Sequence, residues 1–165
     1  EVFGMAIFMQ AGVNFFGFFI FGRIGNRLGT KIILQISNIT GFIGLTGFVF
    51  IPNMVVWYMN INPDVGYITV AKTFYLFFFM FIQMSYQTTS IGRMAYALDI
   101  APKELRPTYL GFAQTGLVPF LIICMFNGLI ADLLSRRFLF GICAVLFLCA
   151  LTATHWMENV RKKRL

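Results

Sequence analysis

The chain has 165 residues, of which 59% are apolar, 18% aromatic and only 12% charged, and its mean hydropathy is +0.79. Soluble domains are about 45–50% apolar and about 25% charged, so this composition excludes an ordinary soluble domain and argues against a disordered or disulfide-rich secreted chain. The net charge of +7 could indicate a nucleic-acid partner, but the positions of the basic residues favour a membrane protein and no nucleic acid.

Five stretches without Asp, Glu, Lys or Arg are long enough to cross a bilayer, which needs roughly 20 helical residues. Pro52 and the asparagines that follow it indicate a loop, so we expect the second helix to end near Ile51. Runs such as 77–82 do not alternate as barrel strands do. We therefore predict an all-α, multi-pass membrane bundle with helices at 2–22, 32–51, 66–92, 107–131 and 137–156, followed by a basic tail, 157–165.

The basic residues lie mainly on one side of this predicted bundle. Lys72, Arg136 and Arg137 lie toward the other side. The remaining ten are in the first and third connections and in the tail: Arg23, Arg27, Lys31, Arg93, Lys103, Arg106, Arg161, Lys162, Lys163 and Arg164. The positive-inside rule makes the side with ten basic residues cytoplasmic. We expect a protein of the cell (plasma or inner) membrane, with residue 1 outside and the C-terminus in the cytoplasm.

The cysteines and the one histidine do not form a pattern typical of catalysis. Cys124, Cys143 and Cys149 fall inside apolar helices without the Cys and His spacing of a metal site, so we expect them to pack as small hydrophobic residues. An embedded enzyme needs clustered histidines and acids or a metal set, whereas His155 has no such neighbours in the sequence. We expect no enzymatic activity, no metal and no cofactor.

The first connection has glycines spaced for a tight turn. Its pattern is Gly-x-x-Gly-Asn-Arg-x-Gly-x-Lys, carried by Gly22, Gly25, Asn26, Arg27, Gly29 and Lys31. This resembles the cytoplasmic signature loop of the major facilitator superfamily, which joins the second and third helices and recurs more weakly between the eighth and ninth. The family usually has Asp where this chain has Asn26.

The third connection also resembles that family. An acidic residue, a Pro and then an Arg before the next helix are typical of its loop between helices ten and eleven, and here they are Asp99, Pro102 and Arg106, after Arg93. The resemblance implies that the chain supplies helices eight to twelve of a twelve-helix carrier, which the basic tail favours. Helices two to six of the other half are the alternative.

The resemblance implies that the residues of these two connections act as cytoplasmic gating loops, in which charged contacts clamp the two halves. Arg27 could pair with Asp99 or Glu104. The alternative is that these charges only set the topology and face solvent.

Uncharged polar residues recur within the predicted spans, and in lipid they should face protein or water. Residues spaced i, i+3 and i+4 share a helix face, and helices eight, ten and eleven face or border the cavity in the resembled family. The candidates for a substrate cavity are Gln10, Asn14, Gln83, Tyr86, Gln87, Gln114 and Asn127. The alternative is hydrogen bonding between helices. Gly41, Gly44 and Gly47 predict close helix packing.

These features predict a secondary active or facilitative transporter that moves a small solute by alternating access. Its partners would be the lipid bilayer, a small-molecule solute and a missing N-terminal half of the same chain, because the sequence begins at Glu1, almost at the start of a helix. The alternative is a non-transport multi-pass membrane protein, such as a sensor, an assembly factor or an inactive remnant.

Overall fold

The structure is a computed structural model that describes residues 2–63, 66–126, 128 and 135–157. Within these ranges the chain forms helices and short connections but no strand, which confirms the all-α class there. A 3₁₀ turn, Lys103–Leu105, precedes the fourth helix. The α-helices are α1 (Val2–Leu28), α2 (Thr30–Ile61), α3 (Tyr67–Ile100), α4 (Arg106–Thr115), α5 (Val118–Met125) and α6 (Arg136–Trp156).

Four of the described helices are long and apolar enough to cross a membrane, namely α1 (over Phe3–Gly25), α2, α3 and α6. Large apolar side chains cover their outer surfaces; Phe8, for example, is 81% exposed. Such a surface is costly in water but matches hydrocarbon. These helices are therefore compatible with a membrane location.

The fourth predicted helix, 107–131, differs from the structure. Its described part consists of the short helices α4 and α5, separated by a turn at Gly116 and Leu117. Leu117 N–H donates to the Gln114 carbonyl at 3.1 Å, which tightens the chain there. Pro119 is the second residue of α5, where its missing N–H is best tolerated. The end of the predicted helix, including Asn127, lies outside the described residues.

Three helices are longer than predicted. α1 continues past Gly22 to Leu28, and α3 continues past Gly92 to Ile100, just before Ala101 and Pro102. Proline disfavours helical backbone at the residue before it. That residue is Ala101, so α3 ends at Ile100. α2 does not end near Ile51 but continues through Pro52 to Ile61.

Packing explains why α2 continues past its proline. Val55, one turn later, is fully buried, and the Tyr58 ring contacts the Phe74 ring of α3 at a centroid distance of 6.3 Å. Tertiary contacts thus hold the helix where the local proline signal favours a loop, and membrane helices tolerate proline when neighbouring groups satisfy the freed carbonyl.

The central helix is α2, which runs antiparallel to both α3 and α6. Near one end of the bundle, the Phe48 ring contacts Tyr75 of α3 and stacks on Phe140 of α6, at centroid distances of 5.2 and 5.3 Å. Nearer the other end, Asn38 Nδ2 donates to Thr154 Oγ1 at 3.3 Å. α1 lies beside α3 and runs parallel to it.

The closest helix contact is the α2–α3 seam, formed by Ser37, Gly44 and Gly47 of α2 with Phe78, Ile82 and Ser85 of α3. Ser37 Oγ donates to the Ser85 carbonyl at 3.0 Å, and Ser85 Oγ donates to the Ser37 carbonyl at 2.8 Å. A Cβ at Gly44 would lie 2.7 Å from Ile82 Cγ1, and one at Gly47 would overlap the Phe78 ring. The predicted packing role of these glycines is confirmed.

We expect Gly44→Leu to destabilise the bundle by about 1–3 kcal/mol, the usual cost of overpacking a filled interface. The measurement is the thermal unfolding midpoint of the purified protein in lipid nanodiscs. Gly4→Leu is the matched control, because no heavy atom lies within 4 Å of a Cβ placed there. Equal midpoints for the two variants would show that the seam does not limit stability.

Candidate functional site

The first connection is a one-residue joint rather than a loop. Gly29 separates α1 from α2, with φ 94° and ψ 160°, a conformation open only to glycine. Its N–H donates to the Gly25 carbonyl at 3.1 Å, and a Cβ at Gly25 would collide with buried Ile33. The predicted loop residues Gly22, Gly25, Asn26 and Arg27 therefore belong to the last turns of α1. The side chain of Asn26 lies outside what the structure describes.

Two contacts bring other helix ends to this joint. Thr30 Oγ1 donates to Asp99 Oδ2 of α3 at 3.2 Å, and Lys31 Nζ donates to the backbone carbonyl of His155 in α6 at 2.6 Å. A cation at a helix C-terminus also complements the helix dipole. The α1–α2 joint and the C-terminal ends of α3 and α6 thus meet at one end of the bundle, called the basic end below.

The basic end differs in detail from the predicted clamp. The structure identifies Thr30 as one hydrogen-bond partner of the Asp99 carboxylate. The pairing of Arg27 with Asp99 or Glu104 stays a prediction, and the Arg27 side chain is exposed. Pro102 and Arg106 are exposed between α3 and α4. The sequence thus predicts which connections meet, but it does not predict the hydrogen bond that joins them.

Gln87 of α3 faces α1. Its side chain is 6% exposed, and its Cγ lies 3.2 Å from where a Cβ on Gly17 would be. Its Nε2 is buried and has no hydrogen-bond partner among the described residues; the same is true of Asn14 Oδ1 on α1, about one turn before Gly17. A cavity of about 430 Å³, lined by Gly17 and by apolar residues such as Met80 and Met84, separates parts of these helices.

Tyr86 faces a different cavity, the α3–α6 cavity, which lies between α2, α3 and α6 and measures about 420 Å³. Residues of α2 (Gly41, Leu45) and α6 (Cys143, Phe147) form two of its walls. The polar residues that line it lie on α3: Ser85, Tyr86, Thr89, Ser90 and Arg93. The predicted group of Gln83, Tyr86 and Gln87 is therefore divided, with Tyr86 and Gln87 in different environments.

Arg93 lies in a different element from the one that the sequence predicts. We predicted a helix end at residue 92, which put Arg93 in a connecting loop, whereas it lies inside α3, seven residues before Ile100. The hydroxyl residues Ser85 and Thr89 were also missed, although their i, i+4 spacing is a signal of a shared polar face.

The other candidates differ in burial, as do Gln87, which is 6% exposed, and Tyr86, which is 69% exposed. Gln10 and Gln83 are half-buried, and Gln114 is exposed on α4. Asn127 lies outside the described residues.

No protein-family model, curated protein or solved structure matches this chain. A proposal about its function therefore depends on the individual side chains and their geometry, as it does even where a fold is known.

We expect Gly29→Ala to destabilise the protein by about 1–3 kcal/mol, the cost of holding a non-glycine residue in this backbone region. Gly22→Ala is the control, because that helical glycine has open space around it and alanine favours helix. Thermal unfolding of both variants in nanodiscs tests the difference. A Gly29→Ala protein as stable as Gly22→Ala would contradict the assigned joint.

Proposed function

We propose that this chain is the C-terminal part of a secondary transporter that resembles the major facilitator superfamily, and that it moves a small polar solute by alternating access. The observation that carries the proposal is the Gln87 side chain, which is buried between α1 and α3 and whose Nε2 lacks a hydrogen-bond partner among the described residues. The predicted signature pattern around Gly29 supports it.

The buried Gln87 Nε2 without a partner among the described residues is better explained by a bound ligand than by helix packing alone. A buried, unpaired donor costs about 1–3 kcal/mol, and a bilayer supplies no water to offset that cost. If Gln87 only joined helices, its amide should bond to α1 or α2, as Ser37 and Ser85 bond to each other. A polar solute or a water that enters between α1 and α3 would satisfy it.

We also propose five membrane crossings, with the basic end in the cytoplasm. α3 and α6 both finish at the basic end, so α6 begins at the opposite end, about 30 Å away for its 21 residues. The chain between Ile100 and Arg136 therefore joins opposite ends of the bundle. The positive-inside rule supports the cytoplasmic assignment of the end that carries Arg27 and Lys31.

The proposed partner is the N-terminal half of the same carrier, which would face α1 and α3. Alternating access requires two bundles that rock about a site near the middle of the membrane. A sensor, an assembly factor or an inactive remnant would share the bundle but would not move solute.

We expect Gln87→Ala to raise the KM for solute by about fivefold to thirtyfold, because one buried hydrogen bond is lost. The complete native protein is reconstituted in liposomes and screened with labelled sugars, amino acids, nucleosides and organic acids. Gln35→Ala is the control, since Gln35 is a half-buried glutamine of α2 that lines neither described cavity.

Two outcomes would count against the proposal. An unchanged KM in Gln87→Ala, at equal amounts of folded protein, would remove Gln87 from the solute site. Uptake no greater than that of protein-free liposomes, for every solute of the screen, would favour a non-transport protein.

We expect Gly25→Val to lower kcat several-fold with a smaller change in KM, because the added methyl groups meet Ile33, which is 1% exposed and has little room to move. Gly22→Val lies one turn earlier on α1 in open space and serves as the control. Solute counterflow in the same liposomes measures both. Equal kcat values would exclude the joint from the rate-limiting conformational step.

A further inference from the structure

The α3–α6 cavity contains a charge that no described residue neutralises. Arg93 is half-buried and lines the cavity, yet its guanidinium has no ion pair or hydrogen bond among the described residues. The described residues that line the cavity include no Asp or Glu. A positively charged group in this setting requires an anion or water as its partner.

Arg93 lies on the wall of this cavity, and its side chain is half-buried. It precedes Asp99, which contacts Thr30 at the basic end, by six residues of α3, or about 9 Å of helix rise. A half-buried cation that lacks an acidic partner among the described residues is costly unless an anion or water pairs with it. Tyr86, which is 69% exposed, and Ser90 are hydroxyl-bearing residues that line the same wall of the cavity.

We propose that the α3–α6 cavity binds a carboxylate or phosphate group, with Arg93 as its charge partner and the Tyr86 and Ser90 hydroxyls as further donors. A guanidinium can hold either anion through two parallel hydrogen bonds. The volume of about 420 Å³ suits a small ligand. The anion can belong to a free solute or to an anionic lipid headgroup, and its binding does not require that the protein transports solute.

Cys143 provides a probe inside the same cavity, because it lines the wall formed by α6. The complete native protein, with its other cysteines replaced by alanine, is placed in phosphatidylcholine nanodiscs. It is labelled with a negatively and a positively charged methanethiosulfonate reagent. We expect the negative reagent to react several-fold faster, and inorganic phosphate to slow it.

Substitutions distinguish an effect of the Arg93 charge from an effect of positive charge elsewhere on the surface. Arg93→Gln should remove the preference for the negative reagent and raise the phosphate concentration for half-protection roughly tenfold to hundredfold. Arg93→Lys should retain part of both effects, and Tyr86→Phe should weaken protection less than Arg93→Gln. Arg23→Gln is the control, because Arg23 is exposed on α1 near the same end, and it should leave both effects unchanged.

A second set of nanodiscs, with phosphatidylglycerol added, distinguishes the sources of the anion. Arg93-dependent protection by phosphate in phosphatidylcholine supports a soluble anion, and Arg93-dependent protection only by phosphatidylglycerol supports a lipid headgroup. Equal reaction with both reagents in the wild type and in Arg93→Gln would overturn the proposal. Protection by phosphate that is the same in Arg93→Gln as in the wild type would overturn it too.

Discussion

The close approach of α2 and α3 is the contact on which the arrangement of the other helices depends. Lipid offers no hydrophobic drive for helices to associate, so a membrane bundle relies on van der Waals contact and interhelical hydrogen bonds. The seam supplies both, since glycines at 44 and 47 admit the Ile82 and Phe78 side chains and Ser37 and Ser85 exchange hydrogen bonds. Each such bond is worth only about 0.6 kcal/mol on average in membranes, so its main effect is to fix the rotation of α3.

The rotation of α3 decides what its polar residues can do. With Ser85 turned to α2, helical periodicity turns Gln87 away from α2 and toward Gly17 of α1. The same rotation places Tyr86 and Arg93 on the side that faces α6. One helix therefore carries two chemically different surfaces, an uncharged amide on one side and a cationic, hydroxyl-lined wall on the other.

Composition and charge predict the helical class, and the glycine stripe predicts the seam, because both follow from local sequence. The helix ends were harder to predict, since the signals at Pro52 and Arg93 are local whereas the contacts that extend α2 and α3 are tertiary. For the same reason the sequence predicts Arg93 in a loop, whereas in the structure it lies on the cavity wall. The environments of Tyr86 and Gln87 depend on the rotation of α3, and i, i+3 and i+4 spacing alone does not fix that rotation.

The hydrogen bonds also indicate where the bundle can move. Among the described residues, side-chain hydrogen bonds tie α2 to α3 through Ser37, Ser85 and Thr30, and tie α2 to α6 through Asn38 and Lys31. The α3–α6 cavity lies inside this group of three helices, so its walls should keep their spacing. α1 joins the group through Gly29 and packs on α3 around Gly17, beside a cavity and an unpaired amide. If the chain changes shape in its working cycle, opening the α1–α3 interface would expose Gln87, which is 6% exposed in this structure.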